Sequence, residues 1–195
     1  MSGAGGVRGA GGDFELTGDE LRAVARYAVE SAEEVLPVFE AAVAGDPRPR
    51  AAVAAAWEFA RGADRTRLQR VTALEAHRAA KEAPTEAARL AARAAGDAAA
   101  AAYLHPLAQA TQVGHILRAA ACAARVAELG TGAADPGGAG TGEDPAAGLA
   151  HLEAARLRAS PTVVAVLRRY PPAPTGRNRL AALMSHLDTA LRADG

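Results

Sequence analysis

His105, Gln109, Gln112 and His115 crowd into the segment AAYLHPLAQATQVGHIL (101–117) of a chain otherwise dominated by alanine. Imidazole can ligate a metal, move a proton, or hydrogen-bond to a partner. A helical metal site sets its histidines three to five residues apart and adds cysteine or carboxylate. Here the histidines are ten apart, and the nearest acid, Asp97, sits a helix away. No metal centre is expected. A general base needs a nucleophile or carboxylate within reach, and none lies nearby in sequence, which leaves only a sequence-distant partner open. On an uninterrupted helix at about 100° per residue, the four polar side chains share one face, opposite Leu107, Ala110, Val113, Leu117 and Ala121. That pattern reads as a polar seam that fixes helix register or meets a partner protein.

A second candidate is the basic turn Arg177-Asn178-Arg179 within TGRNR. It could hold phosphate at a helix start; pairing with the acidic first helix is the preferred reading. Cys122 is alone in an alanine-rich helical run and reads as a buried, inert thiol. His77, His151 and His186 stand singly on helices. There is no GxxxxGK[ST] loop, HExxH, CxxC, GxSxG, or GxGxxG followed by a strand. No cofactor is expected.

The elements that carry these residues are helical almost throughout. Thr17-Gly18-Asp19-Glu20 is a capping box, followed by a stripe of Leu21, Val24, Ala25, Ala28, Ala32, Val35, Leu36 and Phe39. Pro37 should kink or divide this helix near Val35. Asp46-Pro47 opens a second helix that carries Trp57 and stops at Gly62. Asp64 caps a third, to about Ala83, with Leu68, Val71, Leu74 and Ala79 inward. Pro84 begins a fourth that reaches Leu104, and Pro106 forces a break before a fifth, 106–129. A glycine- and proline-rich loop spans 130–145. Helices over about 145–158, from Ser160-Pro161, and over about 178–192 complete the chain. Trp57 and Phe39 are the expected anchors of a core short of large side chains. The expectation is all-α: one bundle of seven to eight helices over 14–192, a mobile loop at 130–145, a flexible glycine-rich leader (1–13) and a tail (193–195).

Bulk composition agrees. Alanine supplies 55 of 195 residues and aromatics only 4%, which suits closely packed helices better than a broad ligand pocket. The net charge is zero, so nucleic acid is not an expected partner. That neutrality is uneven: residues 1–45 carry −5, 46–130 carry +4, 131–145 carry −3 and 146–195 carry +4. Internal pairing of an acidic first helix with later basic ones is the simplest account. No apolar run approaches the roughly 20 residues of a membrane span. Without a secretion signal, the expected compartment is the cytoplasm. Arginine outnumbers lysine (Lys81 alone), as in GC-rich bacterial genomes.

Several blocks carry a resemblance: DPRPRAAVAAAWEFARG (46–62), AHRAAKEA (76–83), AARAAGDAAAAAYLHPLAQATQVGHILRAAACAARVAEL (91–129) and RRYPPAPTGRNRLAALM (168–184). Together they resemble the bacterial "putative immunity protein" family, whose helical domain is similar to the fifth class of immunity proteins of polymorphic-toxin systems. The family's hallmarks correspond here to Asp46, Arg48, Pro49 and Trp57, then to His77, Gly96, His105 and His115. The resemblance implies a non-enzymatic protein that binds and neutralises a cognate toxin domain by stoichiometric contact. His105, Gln109, Gln112, His115, Arg177, Asn178 and Arg179 are the candidate contact residues, and a homodimer is left open. One rival is an enzyme or small-ligand binder using the His105–Gln112 face, favoured if two histidines converge with an acid. Another is a DNA-associated helical protein, whose signature would be a contiguous face of Arg61, Arg65, Arg67 and Arg70.

Overall fold

The computed structural model describes residues 14–130 and 142–193, so the expected leader and most of the expected loop lie outside the described residues. Among the described residues there are eight α-helices: α1 Gly18–Ala42, α2 Arg48–Ala60, α3 Arg67–Glu82, α4 Glu86–Ala100, α5 Gly114–Leu129, α6 Pro145–Arg158, α7 Pro161–Leu167 and α8 Arg179–Ala193. Single 3-10 turns occupy Ala101–Tyr103 and Ala110–Val113. The all-α reading holds.

Local signals place most helix starts. Thr17 and Glu20 form the capping box of α1. Asp46 accepts the Arg48 amide at 3.0 Å and also grips the Arg48 guanidinium. Asp144 accepts the amides of Ala146 and Ala147, and Ser160 accepts that of Val163. Gly62 ends the α2 segment at φ +113°, a left-handed conformation that side chains resist.

Three expectations about α1 and α3 fail. Pro37 does not divide α1, which runs unbroken through it. Its ring lies on the exposed face, where water can satisfy the carbonyl that loses a partner. Asp64 does not cap α3; Thr66 does, in a capping box with Gln69. Leu68, Val71 and Leu74 do not point inward but are 43%, 40% and 54% exposed. The buried face of α3 is Gln69, Thr72, Ala73, Ala76, Ala79 and Ala80, because α3 packs on α2 and α4, whose facing residues are mostly alanine and leave no room for leucine.

α4 and α5 form the centre. α4 packs against α1, α2, α3 and α5; α5 packs against α1, α4, α6 and α8. Ala91, Ala94, Ala95, Ala98, Ala121, Ala123 and Ala124 are all fully buried. Larger side chains fill the shell: Phe39, Ile116, Leu117, Leu152, Leu167, Leu183 and Leu191. Phe39 anchors the core as expected, but Trp57 does not. It is only partly buried, set beneath the guanidinium groups of Arg26 and Arg61 at 5.4 and 4.7 Å from its ring, with its indole N–H donating to Glu33.

The acidic first helix is paired internally. Arg50 grips Glu40, Arg158 reaches Glu34 and Glu30, Arg169 meets Glu20, and His151 stands 2.8 Å from Glu34. Arg179, expected on that helix, instead holds Glu128 of α5 at 2.9 and 3.0 Å. Arg125 also holds Glu128 and takes Glu143 at 2.6 Å. Glu143 and Asp144 therefore tie down the end of the stretch expected to be mobile, and the Asp144 amide adds a bond to the Glu128 carbonyl.

Two outcomes follow for urea unfolding. Phe39→Ala should cost about 3–5 kcal/mol, and Trp57→Ala clearly less, because Trp57 is only partly buried. Gly148→Ala should also destabilise, by about 1–3 kcal/mol, although alanine normally gains about 1 kcal/mol over glycine in a helix. A Cβ there would collide with Cγ of Glu128, which Arg125 and Arg179 hold in place. A rise in the Gly148→Ala midpoint would show that Glu128 yields freely.

Candidate functional site

The four residues of the expected polar seam do not share a helix face. Pro106 has no amide hydrogen and restricts His105, so 104–109 is non-helical and α5 starts only at Gly114. The backbone of this connector is tied down from several sides. Gln112 Oε1 accepts the His105 amide at 3.1 Å, Tyr170 donates its hydroxyl to the His105 carbonyl at 2.8 Å, and the Phe14 amide donates to the Pro106 carbonyl. The side chains of His105 and Gln109 are exposed, while Gln112 and His115 are half-buried. His115 sits in the first turn of α5, pushed down to about 4 by burial and by the charges of Arg118, His105 and His77.

The basic turn is likewise divided. Asn178 Oδ1 accepts the Ala181 amide at the start of α8, Arg179 is engaged with Glu128, and Arg177 is exposed.

A different constellation, around Asp97, was missed in the sequence reading. Asp97 lies in the last turn of α4 on its buried face, only 4% exposed. Arg118 of α5 donates to its Oδ1 at 3.3 Å. His77 Nε2 of α3 stands 3.7 Å from the same oxygen, and Arg93 Nε stands 3.8 Å from Oδ2. Two glycines permit this. A Cβ on Gly96 would lie 2.7 Å from the His77 ring, and one on Gly114 would overlap the Arg118 guanidinium. One sequence signal could have pointed here: Asp97 is the lone acid between Glu86 and Glu128, set in a buried alanine run.

Burial pushes the Asp97 carboxyl above its ordinary range, against the pull of Arg118, His77 and Arg93. Burial pushes His77 down, with Asp97 opposing and Arg93, Arg118 and Lys81 reinforcing. His77 is thereby disposed to stay neutral, and Arg118 supplies the counter-charge. Cys122 is buried, its thiol pushed up by burial and then by Asp97, which removes it as a nucleophile at neutral pH. Above Asp97 opens a cleft of about 380 Å³ that Lys81, Arg89, Arg93 and Arg118 also line. One histidine has converged with an acid, but His105 stands exposed on the connector. The arrangement offers charged donors around a buried acceptor, which is equipment for binding. Among the described residues, no group of three or more His, Cys, Asp or Glu side chains could hold a metal, and no helix is long and apolar enough to cross a membrane.

A family model described as "Imm-5 like putative immunity protein" matches residues 15–135, more than half of the chain. The matched span includes α1 to α5 and every residue around Asp97. No curated protein and no solved structure matches the chain.

The histidines set an acid-side dependence of stability. A histidine whose folded pKa is depressed binds fewer protons folded than unfolded, so its contribution is intact above the ordinary 6.5 and is lost as pH falls. For His115 the loss runs from about 6.5 down to about 4, with His77 acting in the same direction. The depressed carboxylates Glu20, Glu34 and Asp46 are lost only below their ordinary 4.5 and 3.8. The Asp97 carboxyl, raised by burial, binds protons more readily folded than unfolded and opposes this loss. The His115 contribution, on the order of 1–3 kcal/mol between pH 6.5 and 4, is therefore read as the difference between the unaltered protein and His115→Gln, whose slope should be flatter. An unchanged slope in His115→Gln would remove this histidine from the account.

Proposed function

Because the chain belongs to the Imm-5 like family of putative immunity proteins, we propose that it neutralises a cognate toxin domain by one-to-one contact. Family membership carries this reading. The outer face of α3 supports it with a surface of suitable kind. Leu68, Val71 and Leu74 recur every three residues and stand 40–54% exposed, a contiguous apolar stripe of the sort that marks protein contacts. Arg67 and Arg70 beside it are exposed, and Arg65 and Arg70 lie 5.2 and 5.7 Å from the Tyr103 ring. The occupant is a toxin surface with an apolar centre and an acidic rim.

The connector that bears His105 and Gln109 belongs to the same side of the molecule. Tyr103 donates its hydroxyl to the Thr66 carbonyl at 2.7 Å, fastening the connector to the start of α3. His105, Gln109, Gln112 and His115 then border the contact, the exposed pair directly and the half-buried pair through the connector's shape. Arg177, Asn178 and Arg179, all exposed, offer a separate rim at the start of α8.

One observation favours a second reading. Arg61, Arg65, Arg67 and Arg70 are all exposed, Arg61 over Trp57 and Arg65 and Arg70 over Tyr103, the basic-aromatic mixture that nucleic acid also uses.

The test is co-expression with a toxin candidate encoded near this gene. Protection should track formation of a one-to-one complex. Leu74→Glu should raise dissociation at least about tenfold, while Arg67→Glu should mainly slow association and alter its salt dependence. Protection by substoichiometric protein, with the toxin chemically altered, would show catalysis and overturn the proposal. Tight, salt-sensitive binding to duplex DNA without toxin binding would favour the second reading.

A further inference from the structure

The cleft above Asp97 carries an imbalance that the fold does not use. Lys81 and Arg89 line it and have no ion-pair partner among the described residues. Arg93 reaches Asp97 only at 3.8 Å, beyond hydrogen-bonding distance. Four cations thus line a cleft that holds one buried carboxylate, two of them without a partner of their own; Glu86 at the margin is already paired with Arg125 at 3.3 Å. The carboxylate is itself incomplete. Oδ1 accepts from Arg118, but Oδ2 is buried with no hydrogen-bond partner.

A buried acceptor without a donor is costly, and so is a concentration of unpaired cations around it. One kind of ligand relieves both at once. It must present anionic oxygens to the guanidinium and ammonium groups and a hydroxyl hydrogen to Asp97 Oδ2. A fully ionised oxyanion such as sulfate supplies the first and lacks the second. Phosphate supplies both, because at neutral pH it retains at least one P–OH, and a phosphate monoester, mostly a dianion at neutral pH, supplies both through a hydroxyl on its organic part. A simple metal cation would meet four positive charges. The cleft volume, about 380 Å³, leaves room for a small organic group beside the phosphoryl oxygens.

We propose that the cleft between α3, α4 and α5 binds a phosphate monoester, its phosphoryl oxygens held by Lys81, Arg89, Arg93 and Arg118 and one of its hydroxyl groups donated to Asp97. Arg118 is held in place by Asp97 Oδ1 and, across Gly114, by the first turn of its own helix. His77, packed on Gly96, presents a neutral ring at the wall, adding a hydrogen-bonding group without a further charge. This inference does not depend on the toxin reading: the cleft residues are distinct from the α3 stripe, and its test needs no toxin.

Inorganic phosphate is the probe, added to the full chain at constant ionic strength, with sulfate as the matched control. Amide and imidazole NMR signals of Gly96 and His77 report occupancy. Phosphate should shift them saturably with a millimolar or tighter Kd, and sulfate should bind at least about tenfold more weakly, since it leaves Oδ2 without a donor. Asp97→Asn should abolish that preference. Should Asp97→Asn fail to fold, the rim variant Lys81→Gln/Arg89→Gln, altered only at exposed positions, should weaken both anions together while the helical circular dichroism stays native. Equal affinity for sulfate and phosphate in the unaltered protein would overturn the proposal. So would the absence of saturable shifts with phosphate, or unaltered phosphate affinity in the rim variant.

Discussion

The close approach of α4 to α5 is the constraint on which the other features depend. Both helices are buried nearly all round, and alanine fills most of their contact. Small side chains let the backbones come near, but they contribute little apolar area each. Stability must then come from the larger side chains of the surrounding shell, among them Phe39, Leu152, Leu167 and Leu183. An added methyl also finds no space beneath three long side chains elsewhere in the bundle: Gly96 of α4 lies under His77 of α3, Gly114 under Arg118 of its own helix, and Gly148 of α6 against Glu128 of α5.

Two acids are buried in this centre, and their treatment differs. Glu128 receives Arg125 and Arg179, and its carboxyl is held below the ordinary range despite burial. Asp97 receives one hydrogen bond, and burial pushes its carboxyl up. Buried ion pairs add little net stability because desolvation offsets their attraction. Glu128 is therefore best understood as fixing how α5 meets α6 and α8. An acid left half-satisfied beside unpaired cations has no such structural account, and perturbed groups of this kind concentrate at sites that bind.

What could be read from the sequence was whatever is decided locally. The Thr17 capping box, the Asp46 and Ser160 helix starts and the break at Pro106 each depend on a few adjacent residues, and all appear where expected. The facing of α3 was not legible. Periodicity identifies an apolar stripe, but which stripe turns inward depends on the volume its neighbours leave. Against alanine-lined helices the leucines lose to Ala73, Ala76 and Ala80. The His105–His115 face failed because a wheel presumes an unbroken helix, which Pro106 prevents. Asp97 was invisible for a third reason: its partners lie 20 residues before it and 21 after, joined only by tertiary packing.

The zero net charge has a structural meaning that the total conceals. Besides their buried leucines, the segments beyond the family match are tied to the matched part by arginine: Arg158 on Glu34 and Ser31, Arg169 on Glu20 and the Glu15 carbonyl, Arg179 on Glu128. Those contacts engage acids of α1 and α5 within the bundle. Lys81, Arg89 and Arg67 are left exposed without such partners, so a chain neutral in sum presents a basic side to solvent. Clefts lined by one sign of charge focus field and favour encounters with anionic groups. The segments from 142 onward thus engage Glu20, Glu34 and Glu128 within the bundle, while Lys81 and Arg89 stand exposed at the cleft beside Asp97, the arrangement on which the anion proposal rests.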